Sequence, residues 1–104
     1  MKVGSLFAGI GGFDLAAERA GMEVVWQSEF DTHASKVLDH HWPQIPNYGD
    51  IHDITRPPTV DVLTGGFPCQ DYSVAGLRGG LAGDRGALWW EFHRLIAELN
   101  PTWV

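Results

Sequence analysis

Three short apolar segments alternate with stretches of helical periodicity, and this alternation limits the fold more than any other feature of the chain. The apolar segments are residues 3–7, 24–26 and 60–64. Apolar side chains recur every three or four residues behind the first two segments and again over residues 88–99. Strands that alternate with helices are typical of a parallel sheet with right-handed crossovers. We therefore predict an α/β fold with helices flanking a parallel sheet.

The ends of the predicted elements add detail to this fold. Asp31 or Thr32 can cap the second helix. Residues 50–51 predict a short strand end, which makes residues 60–64 the fourth strand. Residues 102–104 predict the start of a fifth strand. Because natural domains rarely stop inside a core strand, we expect a fragment whose sheet is truncated at that point.

Composition is compatible with one small domain. The chain has 104 residues, of which 44% are hydrophobic and 19% charged, as in globular proteins. No apolar run approaches the ~20 residues of a membrane helix, and no secretory signal precedes the first strand. We therefore expect a cytoplasmic protein without a membrane partner. The single cysteine, Cys69, excludes an internal disulfide and a site of several thiolates, and we assign no metal.

The net charge is −6, from seven Lys and Arg against thirteen Asp and Glu. Phosphate contacts need a basic surface, so this balance argues against a stand-alone nucleic-acid-binding domain.

A glycine cluster at residues 9–12 follows the first predicted strand, and Glu29 follows the second. Such a turn lets the backbone approach a ligand, and an acidic residue about 20 positions onward can bind ribose hydroxyls. The ligand could be a dinucleotide or S-adenosylmethionine. Gly9 and Gly11 match the dinucleotide fingerprint, but Asp14 replaces its third glycine and would oppose a pyrophosphate. The spacing favours S-adenosylmethionine, and glycines that only form a tight turn are the alternative.

The only cysteine lies in the segment Gly-Phe-Pro-Cys-Gln, residues 66–70, directly after a predicted strand. This position is again at the carboxyl edge of the sheet. Cys69 can be a small buried hydrophobic residue, or a nucleophile held behind Pro68. A long glycine-studded segment without helical periodicity follows it, up to Gly86. Segments of that kind are more often functional loops than simple connectors, which favours the nucleophile.

These residues resemble the motifs of the DNA cytosine-5 methyltransferases. Residues 5–13, Ser-Leu-Phe-Ala-Gly-Ile-Gly-Gly-Phe, resemble the cofactor motif of that family. Residues 65–73 resemble its Pro-Cys motif, and residues 83–86 the far end of its active-site loop. The likeness extends along essentially the whole chain. It implies that residues 1–104 are the N-terminal portion of a catalytic domain with a Rossmann-like S-adenosylmethionine-dependent methyltransferase fold.

The resemblance also implies a role for each residue near the cofactor. Phe7 and Phe30 would contact the two faces of the adenine, and Glu29 would bind the ribose hydroxyls. Asp50 and Ile51 would contact the adenine edge. The implied cofactor-binding residues are Phe7, Gly9, Gly11, Glu29, Phe30, Asp50, Ile51, Pro68 and Leu88.

For catalysis, the resemblance implies that Cys69 attacks C6 of a cytosine flipped out of double-stranded DNA. This addition would make C5 nucleophilic enough to take the methyl group. Gln70, Ser73 and Arg85 would belong to the loop that closes over DNA. Arg85 is as compatible with an ion pair to Asp84 as with a phosphate contact.

Several motifs of the family are absent from these 104 residues. They are the Glu-Asn-Val motif, the Arg-x-Arg motif, the target-recognition domain and the final cofactor motif. We therefore expect the chain alone to be inactive, and a second chain carrying these motifs could complement it. The alternatives are a non-catalytic binding module and a dinucleotide-dependent oxidoreductase. A prokaryotic restriction-modification enzyme and a phage self-protection enzyme both fit the sequence.

Overall fold

The computed structural model describes residues 1–66 and 87–104. Three parallel strands form its sheet: β1 (Lys2–Leu6), β2 (Glu23–Ser28) and β3 (Val62–Gly65). Their spatial order is β2-β1-β3, so β1 is the central strand. The predicted parallel α/β sheet is confirmed, and its strand ends meet at one edge because all three strands run the same way.

Three helices accompany the sheet: α1 (Gly12–Arg19), α2 (Thr32–His41) and α3 (Ala87–Leu99). Asp31, one of the two predicted caps, is the N-cap of α2, and its carboxylate accepts a hydrogen bond of 2.8 Å from the Ala34 N–H. A side-chain acceptor there satisfies one of the free N–H groups of the first turn. Within the described ranges, no helix is long and apolar enough to cross a membrane.

The short strand predicted at residues 50–51 is wrong. Asp50 instead caps a single 3₁₀ turn, Ile51–Asp53, and its carboxylate accepts from the His52 N–H at 2.9 Å. The chain pairs with the sheet slightly earlier, in one parallel bridge between Gln27 and Asn47. An aspartate that can bond the backbone two residues on favours a turn over a strand, which explains the difference.

The strand predicted at residues 102–104 is represented by a single parallel bridge between Trp103 and Val62. The Trp103 N–H donates to the Asp61 carbonyl, and the Leu63 N–H donates to the Trp103 carbonyl, each at 2.9 Å. This bridge extends the sheet beyond β3.

The hydrophobic core lies between the sheet and α3. Leu6 on β1, Trp26 on β2 and Leu63 on β3 are at most 1% exposed. Helix α3 contributes Phe92 and Leu95 to the same cluster. Burial of several large apolar side chains against one face of a small sheet is the main source of stability for a domain of this size.

Helix α1 packs on the sheet through a charged residue. Asp14 is completely buried, whereas Phe13 beside it is 63% exposed. The Asp14 carboxylate accepts hydrogen bonds of 2.8 Å from the Ser5 hydroxyl and from the Gln27 side-chain amide. The expectation that Asp14 would oppose a ligand phosphate is therefore wrong, because its carboxylate faces β1 and β2. Asp14 consequently does not discriminate between the two candidate ligands.

We predict that Asp14→Leu destabilises the chain by about 2–4 kcal/mol, since the buried Ser5 hydroxyl and Gln27 amide would lose their acceptor. Asp14→Asn should cost less, because its amide can pair with the Gln27 Oε1, which is buried with no hydrogen-bond partner among the residues that the structure describes. Urea denaturation measures both free energies of unfolding. Asp39→Ala, at an exposed position of α2, is the control and should stay within about 0.5 kcal/mol of the parent. Equal losses for Asp14→Leu and Asp39→Ala would contradict the assignment.

Candidate functional site

A cavity of about 510 Å³ opens where β1 and β2 end. Its volume is in the range of small-molecule sites, and the carboxyl edge of a parallel sheet is where such sites form. A second cavity of similar volume lies at the other end of the strands, between Met1 and Asp61, and contains no predicted site residue. The described residues that line the first cavity are Phe7, Ser28, Glu29, Phe30, Asp31, Gly49, Asp50, Ile51, His52, Gly66 and Leu88.

Six of the nine predicted cofactor-binding residues line this cavity, and they come from separate parts of the chain. Gly9 and Gly11 are described but are not among the lining residues. Pro68, Cys69, Gln70, Ser73 and Arg85 lie outside the described residues. The six residues that the fold brings together are Phe7, Glu29, Phe30, Asp50, Ile51 and Leu88.

Glu29, immediately after β2, connects the glycine turn to the start of α2. One carboxylate oxygen accepts a hydrogen bond of 2.8 Å from the Gly9 N–H. The other accepts one of 2.8 Å from the Asp31 N–H. Each oxygen of a carboxylate has two acceptor positions. Glu29 can therefore hold both segments and still accept hydrogen bonds from hydroxyl groups of a ligand.

The two glycines of the turn have different surroundings. Both have positive φ, 61° at Gly9 and 93° at Gly11. A Cβ at Gly9 would have no atom of the described residues within 4 Å, but a Cβ at Gly11 would lie 2.3 Å from the Trp42 ring. Trp42 is itself anchored, since its indole N–H donates to Glu18 at 2.6 Å. Gly11 thus makes room for a tryptophan of the chain, and its predicted approach to a cofactor stays a prediction.

Phe7 is held at the cavity by α3. Its ring stacks on Phe92, with centroids 6.4 Å apart and planes within 9° of parallel. The Phe92 ring in turn crowds Gly65 at the end of β3, where a Cβ would lie 2.0 Å from it. Phe7 also has a positive φ of 51°, a backbone conformation that non-glycine residues rarely adopt and that often occurs at functional sites. Phe30 lines the same cavity with 76% of its surface exposed.

Asp50 reaches the cavity because Ser28 ties the preceding residue to β2. The Ser28 hydroxyl donates to the Gly49 carbonyl at 2.8 Å. The pKa of Asp50 lies below its ordinary value of 3.8 because its carboxylate is hydrogen-bonded to His52. The backbone N–H of His52 has the largest effect, and its side chain has the next largest. A lowered pKa in the folded chain means that this interaction stabilises the fold above pH 3.8 and is lost as the pH falls through the folded value.

Arg94 on α3 fixes the turn that follows Asp50. Its guanidinium donates to the carbonyls of Ile51 and Ile54, each at 3.1 Å. Glu91 and Glu98 pair with the same guanidinium, also at 3.1 Å. Burial alone would lower the pKa of Arg94, but these two carboxylates outweigh it, and the net shift is upward.

Arg94 could not be recognised from the sequence as part of the site. The spacing of Glu91, Arg94 and Glu98 indicates helix-surface ion pairs, and nothing in it indicates two carbonyls some 40 residues earlier in the chain. His52 was likewise missed, because an isolated histidine carries no signal of its neighbours. Among residues 1–66 and 87–104, no group of three or more His, Cys, Asp or Glu side chains could hold a metal.

Comparison with known proteins agrees with this geometry. The sequence profile of the family described as C-5 cytosine-specific DNA methylase matches residues 1–104. The type II methyltransferase M.Eco47II of Escherichia coli is 45% identical over 100 residues, which are 92% of this chain and 24% of that protein. M.HhaI of Haemophilus parahaemolyticus is 39% identical over 101 residues, 95% of this chain and 31% of that protein.

A solved structure supports the same relationship. It is a prophage-encoded protein of E. coli assigned as a DNA modification methyltransferase, 29% identical, with a TM-score of 0.76. The match covers 97% of this chain and 30% of that one. The expected Rossmann-like methyltransferase fold is confirmed. The chain spans about a quarter to a third of the length of the proteins it matches.

We predict that Gly11→Ala costs roughly 3–5 kcal/mol of unfolding free energy, because an unfavourable φ and a collision with Trp42 add together. Gly9→Ala has the unfavourable φ without the collision and should cost about 1–2 kcal/mol. Thermal and urea unfolding of the two variants give the comparison. Trp42→Leu added to Gly11→Ala should recover part of the loss. Equal costs at the two glycines would show that Trp42 does not exert this constraint.

Proposed function

Because the chain belongs to the C-5 cytosine-specific DNA methylase family, we propose that it forms the cofactor-binding and cysteine-bearing part of a DNA cytosine-5 methyltransferase. S-adenosylmethionine is the methyl donor of this family. When bound, it supplies a methyl group on a positively charged sulfonium. The observation that carries the proposal is that six of the residues expected to bind this cofactor line one cavity at the carboxyl edge of the sheet.

The lining of the cavity fits an adenosine ligand. Glu29 has acceptor positions left for ribose hydroxyls after binding the Gly9 and Asp31 N–H groups. Phe7 and Phe30 provide apolar rings suited to a purine. The second oxygen of the Asp50 carboxylate is an acceptor for an amino group. These residues would bind and orient the cofactor.

The charge of the lining distinguishes the two candidate ligands. The described lining includes three carboxylates, those of Glu29, Asp31 and Asp50. Like charges in a partly desolvated cavity repel, so these carboxylates disfavour a pyrophosphate. A sulfonium of opposite charge is favoured by the same groups. The carboxylates of the lining, and not Asp14, therefore disfavour a dinucleotide-dependent oxidoreductase.

We assign the nucleophile to Cys69, three residues after Gly66, which lines the cavity. Its thiolate would add to C6 of a flipped cytosine, C5 would accept the methyl group, and loss of the C5 proton with expulsion of the thiolate would restore the ring. Gln70, Ser73 and Arg85 are proposed to contact the DNA, and Pro68 to border the cofactor. Support for these five roles comes from the motif resemblance.

We propose that residues 1–104 are one portion of a catalytic domain whose target-recognition part is carried by other residues. The net charge of −6 indicates that most cationic DNA-binding surface is supplied there. A second chain could supply it by complementation. Double-stranded DNA is then the macromolecular substrate, and the cytoplasm, where bacterial and phage DNA lies, is the site of action.

Isothermal titration calorimetry tests the cofactor assignment. We expect the chain to bind S-adenosylmethionine in preference to NAD. Glu29→Gln should weaken binding about 10–100-fold, which is the loss of affinity expected when one or two charge-assisted hydrogen bonds are removed. Glu23→Gln, at the exposed beginning of β2, is the matched control and should bind like the parent. Tighter binding of NAD, or an unchanged Glu29→Gln, would contradict the proposal.

Transfer of a labelled methyl group to a mixed-sequence DNA duplex tests the catalytic assignment. The chain alone should give no incorporation above a Cys69→Ser control, because the family motifs that complete the active site are absent from it. Addition of a polypeptide carrying those motifs should restore transfer to cytosine. Activity of the isolated chain would refute its predicted incompleteness. Restored activity with Cys69→Ser would instead refute the role of Cys69.

A further inference from the structure

The two oxygens of the Asp50 carboxylate have different surroundings. Oδ1 accepts two hydrogen bonds, one of 2.9 Å from the backbone N–H of His52 and one of 2.6 Å involving its Nδ1. Oδ2 accepts no hydrogen bond from the residues that the structure describes. The Asp50 side chain is 36% exposed and lines the cavity. A carboxylate held through one oxygen has the direction of its other oxygen fixed as well.

The ring of His52 must act as the donor in this pair. A carboxylate only accepts, so Nδ1 has to carry the hydrogen. A separation of 2.6 Å is typical of a short, charge-assisted hydrogen bond. The neutral ring is therefore the Nδ1–H tautomer when it holds Asp50. His52 lines the same cavity, with 51% of its side chain exposed.

The backbone beneath His52 is already fixed by another residue. Arg94 holds the carbonyls of Ile51 and Ile54 on either side of His52. Among the described lining residues, the other charged groups are the carboxylates of Glu29 and Asp31. With the turn fixed in this way, the backbone N–H and the ring of His52 together restrict the rotation of the Asp50 side chain, and the ring is the part that a substitution can remove.

We propose that His52 is a positioning residue that orients Asp50 so that Oδ2 accepts a hydrogen bond from the amino group of a 6-aminopurine nucleoside. In this role His52 acts through Asp50. The inference rests on the proposed function, because it takes the ligand to be an adenosine derivative. It assigns the discrimination between 6-amino and 6-oxo purines to the pair.

A purely structural role would have a different signature. A side-chain contact between a histidine that is 51% exposed and an aspartate that is 36% exposed contributes little to folding stability. We therefore expect His52 variants to unfold at the same temperature as the parent and to differ in ligand discrimination. Stability and discrimination are separate measurements, so the two roles can be distinguished.

The first test needs no ligand. ¹⁵N NMR spectra of the parent should show the neutral His52 ring with its hydrogen on Nδ1. In His52→Ala, the ¹³C titration of the Asp50 carboxyl should move upward in pH, since one of the two hydrogen bonds that lower its pKa is lost. The shift should be partial, because the backbone N–H at position 52 remains. An Nε2–H ring in the parent, or an unchanged Asp50 titration, would overturn the inference.

The second test compares two probes by calorimetry: S-adenosylhomocysteine and its analogue with a 6-oxopurine in place of adenine. The parent chain should prefer the amino compound by about tenfold or more, because the oxo group would face a carboxylate. His52→Ala should reduce that preference on the order of threefold, the scale of one exposed charge-assisted contact. His52→Asn should retain it, because an asparagine amide nitrogen occupies the same place along the side chain as Nδ1 and also donates.

His33→Ala is the control, since His33 is exposed on α2 and does not line the cavity. It should leave the preference unchanged. If the parent binds neither probe, the proposed function fails and the inference fails with it. If the parent prefers the amino compound and His52→Ala does so equally, the inference is overturned while the proposed function stands. A His52→Asn variant as impaired as His52→Ala would also overturn it.

Discussion

The buried carboxylate of Asp14 is the contact on which the geometry of the site depends. It joins α1 to the two strands that end at the cavity, through Ser5 on β1 and Gln27 on β2. Because α1 begins directly after the glycine turn, holding the helix also holds the turn. Gly9 is thereby placed where its N–H meets Glu29. A polar contact inside the fold thus determines the position of an acidic side chain at its surface.

Helix α3 performs the equivalent task from the opposite face. It presents Phe92 to the ring of Phe7, and Arg94 to the turn behind Asp50. One contact is apolar and the other is charged, and they lie two residues apart on the same helix. The cavity is therefore bounded by segments distant in sequence but fixed to shared supports. A site arranged in this way is positioned before a ligand arrives, which lowers the entropic cost of binding.

Much of this arrangement followed from the sequence, for a simple reason. Residues that follow parallel strands meet at one edge of the sheet, so the glycine turn at residues 9–12 and Glu29 could be placed together without coordinates. The capping role of Asp31 follows from the chemistry of its side chain. The direction of Asp14 did not follow, because the helical periodicity behind the first strand comes from apolar side chains and predicts that they, rather than an aspartate, face the sheet. Its partners, Ser5 and Gln27, are recognisable only once the strands are aligned.

Contacts between residues far apart in the sequence could not be predicted from local sequence patterns either. The guanidinium of Arg94 donates to the backbone carbonyls of Ile51 and Ile54, and the identity of those two side chains gives no indication of this contact. At residues 50–51 we predicted a short strand end, but the local hydrogen bonds of Asp50 produced a turn. The crowding of Gly65 by the Phe92 ring has an evolutionary consequence. A larger residue at position 65 can be accepted only after the ring at position 92 has been reduced, so the order in which these two sites change is constrained by epistasis.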